Sequence, residues 1–458
     1  MIAVWLWGMT GVAAELGCRL DQRAPVSWFD APNEDPWPGL TISGHSAAWS
    51  RLSRSIERGR LPARGAVRPE ELVQALDITQ RPPRGNEDLA VRIEVAQSPW
   101  EAGAAVVRAT LTGRRARNRR RAPAHVVFVV DQDAQVPRTM VVARRALHAI
   151  VSGLGPNDTV SIIGSTSGAL SAPIAAAIDG LQPVGRGGVP EALEAGWAAL
   201  QEAPPDALRR LILVSDGDLE LLEQSEHLTT RAMQLSSEGI GLVGLGYGED
   251  HGRDDSVEAI VQAAGGPLLH IAQPFDGSQI AQHLHSLLEP AARDVRVLVH
   301  WDERQVAGVH RVGNHFGRLT GLGPAAENVG GEIGVGQTAT VLYEVRLRPG
   351  AVGPLGGIRV QSSAPGSPPR ERRVRIPVVQ NDFDDASPDL KISVAAASLG
   401  ELLSGTQALD RVPPERVASL AASAARPNKP RDQALVTLAQ RAAELLRSQE
   451  RCAPRLRQ

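Results

Sequence analysis

At 458 residues the chain has room for about two to four domains with ample buried core. A formal charge of −2 excludes a global pull toward nucleic acid or an anionic membrane surface. Two cysteines, Cys18 and Cys452, exclude a disulfide framework or a cysteine-based zinc site. Nearly all basic residues are arginine, with Lys391 and Lys429 as the lysines.

Met1 to Ala14 is apolar, contains Trp5 and Trp7, and is too short for a standard membrane-spanning helix. It reads as the apolar part of a signal peptide with Gly11-Val12-Ala13-Ala14 as cleavage region, although no basic residue precedes it. The alternatives are a lipid anchor at Cys18, for which Glu15 and Leu16 are poor neighbours, and a cytoplasmic N-terminus or different start. The expectation is an exported protein of the periplasm or envelope, with membrane association only through this segment.

Residues 1–43 thus comprise the apolar start and a linker rich in Pro, Asp and Trp. In 44–122, Trp49 to Arg58 and Arg68 to Leu76 read as short helices, and Val91–Val95 with Ala104–Thr112 as a β-hairpin around Ser98-Pro99-Trp100. From 123 to 291 strands alternate with helices. The predicted strands are Val126–Val130, Thr159–Ile163, Leu211–Val214, Ile240–Leu245 and Leu268–Ile271. The predicted helices are Pro137–Val151, Pro190–Leu200, Ser225–Ser237, Ser256–Ala264 and Ser278–Leu288. Near-continuous apolar strands between amphipathic helices imply a doubly wound parallel α/β sheet covered on both faces. In 292–382, Val295–His300, Thr338–Arg346, Ile358–Val360 and Arg373–Val379 read as strands that join the earlier hairpin in a β-sandwich-like domain, with the α/β unit inserted. Residues 383–458 read as a C-terminal helical domain, punctuated by Gly405, Pro413-Pro414 and Pro427/Pro430.

The chemistry concentrates at two strand ends. His125–Val130 runs into Asp131-Gln132-Asp133-Ala134-Gln135, and Leu211–Ser215 runs into Asp216-Gly217-Asp218. Parallel strands that deliver acids to one sheet edge are how an α/β fold builds a divalent-cation site.

This unit resembles a von Willebrand factor type A domain, whose strand ends carry Asp-x-Ser-x-Ser, a loop threonine and a later Asp-Gly. Flanking segments sharpen the likeness. Gly59-Arg60-Leu61-Pro62 through Ala66-Val67-Arg68-Pro69-Glu70-Glu71-Leu72-Val73, Gly331-Glu332-Ile333-Gly334-Val335-Gly336-Gln337-Thr338 and Leu342-Tyr343-Glu344 look like the bacterial subfamily described as calcium-activated chloride channel homologues. So does the helical tail from Asp389, and the resemblance spans roughly residues 45–450. It implies a protein-binding module rather than an enzyme.

The departures lie in the metal-ion-dependent adhesion site. Asp131 and Asp216 match the family's acids, but Asp133 and Gln135 replace its serines, and Gly187-Gly188 falls where its threonine belongs. The site is degenerate. Two like charges about 4 Å apart repel by roughly 4 kcal/mol at an effective dielectric near 20. A bound Mg²⁺ or Ca²⁺, protonation of one acid, or the nearby Arg186 as an internal counter-cation would each relieve it.

Other signals read as structure. Arg114 to Arg121 suggests a solvated connector. Gly244-Leu245-Gly246-Tyr247-Gly248 lacks phosphate-loop spacing. Gly164-Ser165-Thr166-Ser167-Gly168 is no nucleophile elbow. His283 with His285, and His310 with His315, lack partners for zinc, and Asp302-Glu303 reads as a strand-end turn. The expectation is a non-enzymatic module that docks an unidentified protein partner without nucleic acid, cofactor or strong metal dependence. The alternative is a divalent-cation-dependent adhesion or sensing protein.

Overall fold

The computed structural model describes residues 29–32, 35–36, 47–63, 67–78, 81–115, 121–132, 137–170, 172–184, 187–204, 206–215, 225–247, 255–271, 286, 288–313, 330–363, 368–379, 381–406 and 411–452. The apolar start, Cys18 and the acids beyond the two strand ends therefore lie outside the described residues, as does most of the helix expected at Ser278–Leu288.

The chain opens with β1 (Asp35–Pro36), α1 (Ala47–Glu57), α2 (Pro69–Gln74) and the hairpin β2 (Leu89–Gln97) and β3 (Ala104–Gly113). The inserted unit follows: β4 (Ala124–Val130), α3 (Pro137–Ser152), β5 (Thr159–Gly164), β6 (Gly168–Ala169), α4 (Ile174–Asp179), α5 (Val189–Gln201), β7 (Leu208–Ser215), α6 (Ser225–Ser237), β8 (Ile240–Tyr247), α7 (Asp255–Ala263) and β9 (Leu268–Ile271). Then come β10 (Pro290–Trp301), β11 (Val306–Arg311), β12 (Gly331–Gly334), β13 (Thr338–Leu347), β14 (Gly356–Ser363) and β15 (Arg370–Ile376). The chain ends with α8 (Pro388–Ser404), α9 (Pro414–Ala424) and α10 (Pro430–Cys452).

The inserted sheet has the order β6-β5-β4-β7-β8-β9, parallel throughout except for the edge strand β6. Its strands alternate their apolar side chains between two helix layers, as a doubly wound fold requires. Phe128, Val130, Ile212 and Val214 meet Met140, Ala143, Leu147 and Ile150 of α3 on one face. Val127, Val129, Leu211 and Leu213 meet α5, α6 and α7 on the other, where Trp197 and Ile260 are buried. The expected doubly wound α/β sheet is what the chain forms.

The flanking strands make a sandwich. β10, β14 and β15, with β1 and β12 on the far edge of β10, form one sheet; β11-β13-β3-β2 forms the other. Inner-face side chains interdigitate, and Trp301 meets Tyr343 edge-on at 5.2 Å between ring centroids. The outer face of the second sheet, through Ala96, Val106 and Leu342, is covered by helices from both ends of the chain. Trp49, Leu52 and Leu72 of α1 and α2 share one core with Leu390, Leu399 and Leu435 of the C-terminal helices. The terminal helices thus pack as one unit, a pairing that local sequence pattern does not carry. Ser387 caps α8 by accepting from the Leu390 amide at 3.1 Å, and Gly405 ends it with φ of 74°. The sequence reading omitted β11 and the Ala-rich α4.

Ion pairs fix the inserted unit to this frame. Arg210, 1% exposed near the start of β7, donates to Glu332 of β12 at 2.6 Å, and Arg293 of β10 approaches the same carboxylate at 3.4 Å. A Cβ on Gly241 would come within 1.7 Å of the Arg210 guanidinium, so this position of β8 admits no side chain while the pair stands. Arg68, entering α2, pairs with Glu258 of α7. Arg114 pairs with Glu289 at 2.9 Å, and Arg121 makes a two-point pair with Asp158. The arginine run is accordingly paired at both ends rather than solvated throughout; Arg115 is exposed and residues 116–120 lie outside the described set.

Candidate functional site

Among the parallel strands the order is 2-1-3-4-5, counting β4, β5, β7, β8 and β9 as one to five. Connections leave β4 and β7 in opposite directions, so a crevice opens at the carboxyl ends of these two neighbours. Open α/β sheets bind their ligands at such switch points. Both acid-bearing strand ends recognised in the sequence arrive here.

Asp131 follows β4 directly. Its amide donates to Val214 O at 2.8 Å, which continues the parallel ladder by one residue, and its side chain is fully buried. Ser215, the last residue of β7, donates from Oγ to Asp131 Oδ2 at 2.8 Å. The ends of β4 and β7 are therefore joined both through backbone and through a hydroxyl–carboxylate bond. Asp133, Gln135, Asp216 and Arg186 lie outside the described residues.

Gln132 organises the rest. It is 2% exposed, and its Oε1 accepts from Thr166 N at 3.2 Å, Ser167 N at 3.1 Å and Ser167 Oγ at 2.9 Å. Its Nε2 donates to Gln182 O at 3.1 Å. Its backbone takes part as well: the amide donates to Ser165 Oγ at 3.0 Å, and the carbonyl accepts from Val184 N at 3.0 Å. One amide side chain thus joins the loop after β4, the β5–β6 turn and the segment leading to α5. Two glycines follow from this closeness. A Cβ on Gly164 would meet Gln132 Oε1 at 2.3 Å, and one on Gly188 would meet Ser165 O at 1.9 Å. Gly188 also holds φ of 78° as it enters α5, a left-handed conformation that favours glycine.

The sequence reading took alternate positions after β4, because alternate side chains share a sheet face, and so passed over Gln132 between Asp131 and Asp133. It also passed over Ser215, and it placed Ser165–Ser167 only as a failed nucleophile elbow. The available signal was a long amide in a buried strand-to-loop step, where unpaired polar groups are costly and a network is expected.

A hard divalent cation takes about six to eight oxygens, or six in the tighter Mg²⁺ case. The described residues contribute the Asp131 carboxylate and the Ser215 hydroxyl, already bonded to each other, and any further oxygens would come from Asp133, Gln135 and Asp216. No group of three or more His, Cys, Asp or Glu with metal-holding geometry occurs among the described residues. Elsewhere, His310 is engaged by Glu401 at 2.7 Å, and Asp302 accepts from the Arg304 amide at 3.0 Å, forming the expected strand-end turn.

The class marked by this architecture is a doubly wound α/β domain carried in a β-sandwich frame. A family model, von Willebrand factor (vWF_A), matches residues 22–108, which include α1, α2, β2 and half of β3 and lie before the inserted sheet. Among solved structures, a von Willebrand factor type A protein from Catenulispora acidiphila is 18% identical, with 74% of this chain and 87% of that one covered and a TM-score of 0.44. The ArnB paralog VWA2 from Sulfolobus acidocaldarius is 14% identical, with 78% and 98% covered and a TM-score of 0.39. The SpRpn10 VWA domain is 13% identical over 35% of this chain and 95% of that one, with a TM-score of 0.29. Superpositions this loose decide nothing by themselves, and the fold stands on the strand order above. No curated protein matches the chain.

Proposed function

We propose that this chain is a non-enzymatic protein-interaction module that docks a partner on the loops at the C-terminal edge of the inserted sheet, with capture that needs little or no metal. The observation that carries this reading is the Gln132 network. A neutral amide already fastens three loops at this edge by hydrogen bonds, which supports docking without an ion, since preorganised loops lower the entropic cost of docking. Val184, 57% exposed on the segment that Gln132 anchors, offers an apolar contact at the same edge. The degenerate ligand set, in which Asp133 and Gln135 stand where the resembling family has serines, is consistent with weakened ion capture.

A second reading keeps metal-gated adhesion through an altered Mg²⁺ or Ca²⁺ site. The full burial of the Asp131 carboxylate favours it, since a buried acid needs compensation and a cation held by Asp131, Asp133, Gln135 and Asp216 would supply it.

Calorimetric titration of Mg²⁺, Mn²⁺ and Ca²⁺ into the purified protein separates the two, with Asp131→Asn as the shape-conserving control. The first reading expects no saturable heat below millimolar concentration. Saturable binding that disappears in Asp131→Asn would overturn it in favour of the second.

A further inference from the structure

Three sheets give the described residues six sheet faces, and helices or a facing sheet cover five of them. The sixth is the outer face of β10, β14 and β15. Here the register sets arginines side by side. Arg359 of β14 lies directly opposite Arg373 of β15. Arg375 follows two residues later on the same face, and Arg296 stands on the third strand, β10; all four arginines are exposed. Like charges directly opposite on an antiparallel pair are destabilising, so this arrangement is not what folding alone favours.

Among the described residues the acids do not neutralise it. Glu371 takes Arg373 at 2.7 Å and Asp294 approaches Arg296 at 3.7 Å, while Arg359 and Arg375 have no acidic partner among the described residues. Charged edge strands guard against edge-to-edge aggregation, which accounts for the arginines of β15. That argument does not reach Arg359, which lies one strand inside the edge. Between His300 and Arg375 the register places Gly357, where an added Cβ would meet only Val374 O, at an ordinary 3.5 Å. Its missing side chain leaves a low point in the face beside Arg359 and Arg375.

We infer that this face is a second docking surface, independent of the switch-point loops, and that its occupant is an acidic, extended polypeptide segment of a partner protein. A carboxylate over Gly357 would meet guanidinium groups able to bind it in two-point fashion. Discrete carboxylates can avoid Glu371, which a continuous polyphosphate cannot. Among the described residues the face offers no Trp, Tyr or Phe to stack on bases, only the His300 ring at its end, and no protruding apolar side chain to enter a bilayer, Leu298 being half-buried.

The test is fluorescence anisotropy of a labelled Glu-Thr repeat peptide on the full chain at low ionic strength, with a Gln-Thr peptide as the neutral comparison. R359E/R373E/R375E is compared with R58E/R60E/R81E, an equal charge change at exposed arginines elsewhere. The expected result is a loss of about tenfold in the first triple, the sum of several weak exposed pairs, and less than about twofold in the second. R359Q/R373Q/R375Q should weaken binding in the same direction without charge reversal. Equal loss in both triples, no binding by the parent chain, or tighter patch-dependent binding of duplex DNA or phosphatidylserine vesicles would overturn the inference.

Discussion

At the N-terminal edge of the inserted sheet, Arg210 meets Glu332 and Arg121 meets Asp158, with Arg114 and Glu289 joining the segments that enter and leave the unit. At the C-terminal edge a neutral amide, Gln132, joins three loops, and Asp131 is buried against Ser215. The first edge uses ionic pairs to fix a domain in its frame. The second leaves the loop ends close together, preorganised, and supplied with acids. On the proposed function the same sheet has a mounting edge and a presenting edge, and the distinction can be tested by breaking each in turn.

The largest effect is expected at the mounting edge. Removing Arg210 leaves Glu332 with only the longer Arg293 contact, so Arg210→Met should cost about 3 kcal/mol in chemical denaturation. Adding Glu332→Leu should restore much of that loss, because the pair's penalty lies in the orphaned charge. If the double variant is as unstable as the single one, Arg210 acts through packing over Gly241 instead of through its charge. At the presenting edge Gln132→Leu leaves the Thr166 and Ser167 amides without their acceptor and should cost about 2 kcal/mol. Its local signature matters more than its size. Hydrogen exchange should rise in the β5–β6 turn and residues 182–184 while the β7 core stays protected, and uniform acceleration would mean that Gln132 supports the whole domain.

Much of this division was legible in the sequence, but unevenly. Apolar runs such as Val126–Val130 and Leu211–Val214 announced buried parallel strands, and their acidic ends announced the switch point. The segments that resembled the bacterial subfamily outside the inserted unit proved to include its attachments: Arg68 in one reaches Glu258, and Glu332 in another reaches Arg210. Nothing local could reveal those pairings, which join residues far apart in the chain. Nor could it show that α1 and α2 complete the core of α8–α10, because each helix displays only its own apolar stripe. Gln132 was missed for a different reason: alternation directs attention to one face of a strand, and this side chain serves the other.

A smaller effect is expected where the frame meets the flank of the insert. Burial, with help from Glu71 and Glu258, raises the Glu70 carboxyl to about 8 against the opposing pull of its own backbone amide and Arg68. A carboxyl raised in the folded state binds more protons folded than unfolded. Its stabilising contribution is therefore complete below the unfolded value near 4.5 and is lost as pH climbs through about 8. Glu70→Gln should flatten the stability profile across that window. An unchanged profile would show that Glu70 is solvated.

The mounting edge predicts the opposite slope, and more weakly. Burial pushes Asp158 up, but Arg121 and the amides of Ala124 and Gly155 outweigh it and hold the carboxyl below its ordinary range. Here the unfolded chain binds more protons, so the contribution is present above the unfolded value near 3.8 and fades as pH falls through the lower folded one. Asp158→Asn should remove part of the acid sensitivity below about pH 4 and leave stability at pH above neutral reduced by a nearly constant amount. Together the two variants separate the contacts by sign: one should remove a loss toward base, the other a loss toward acid. If both profiles moved in the same direction, the Arg121–Asp158 clamp would not be holding an ionised carboxylate, and the mounting edge would owe its ionic anchoring to the Arg210–Glu332 and Arg114–Glu289 pairs.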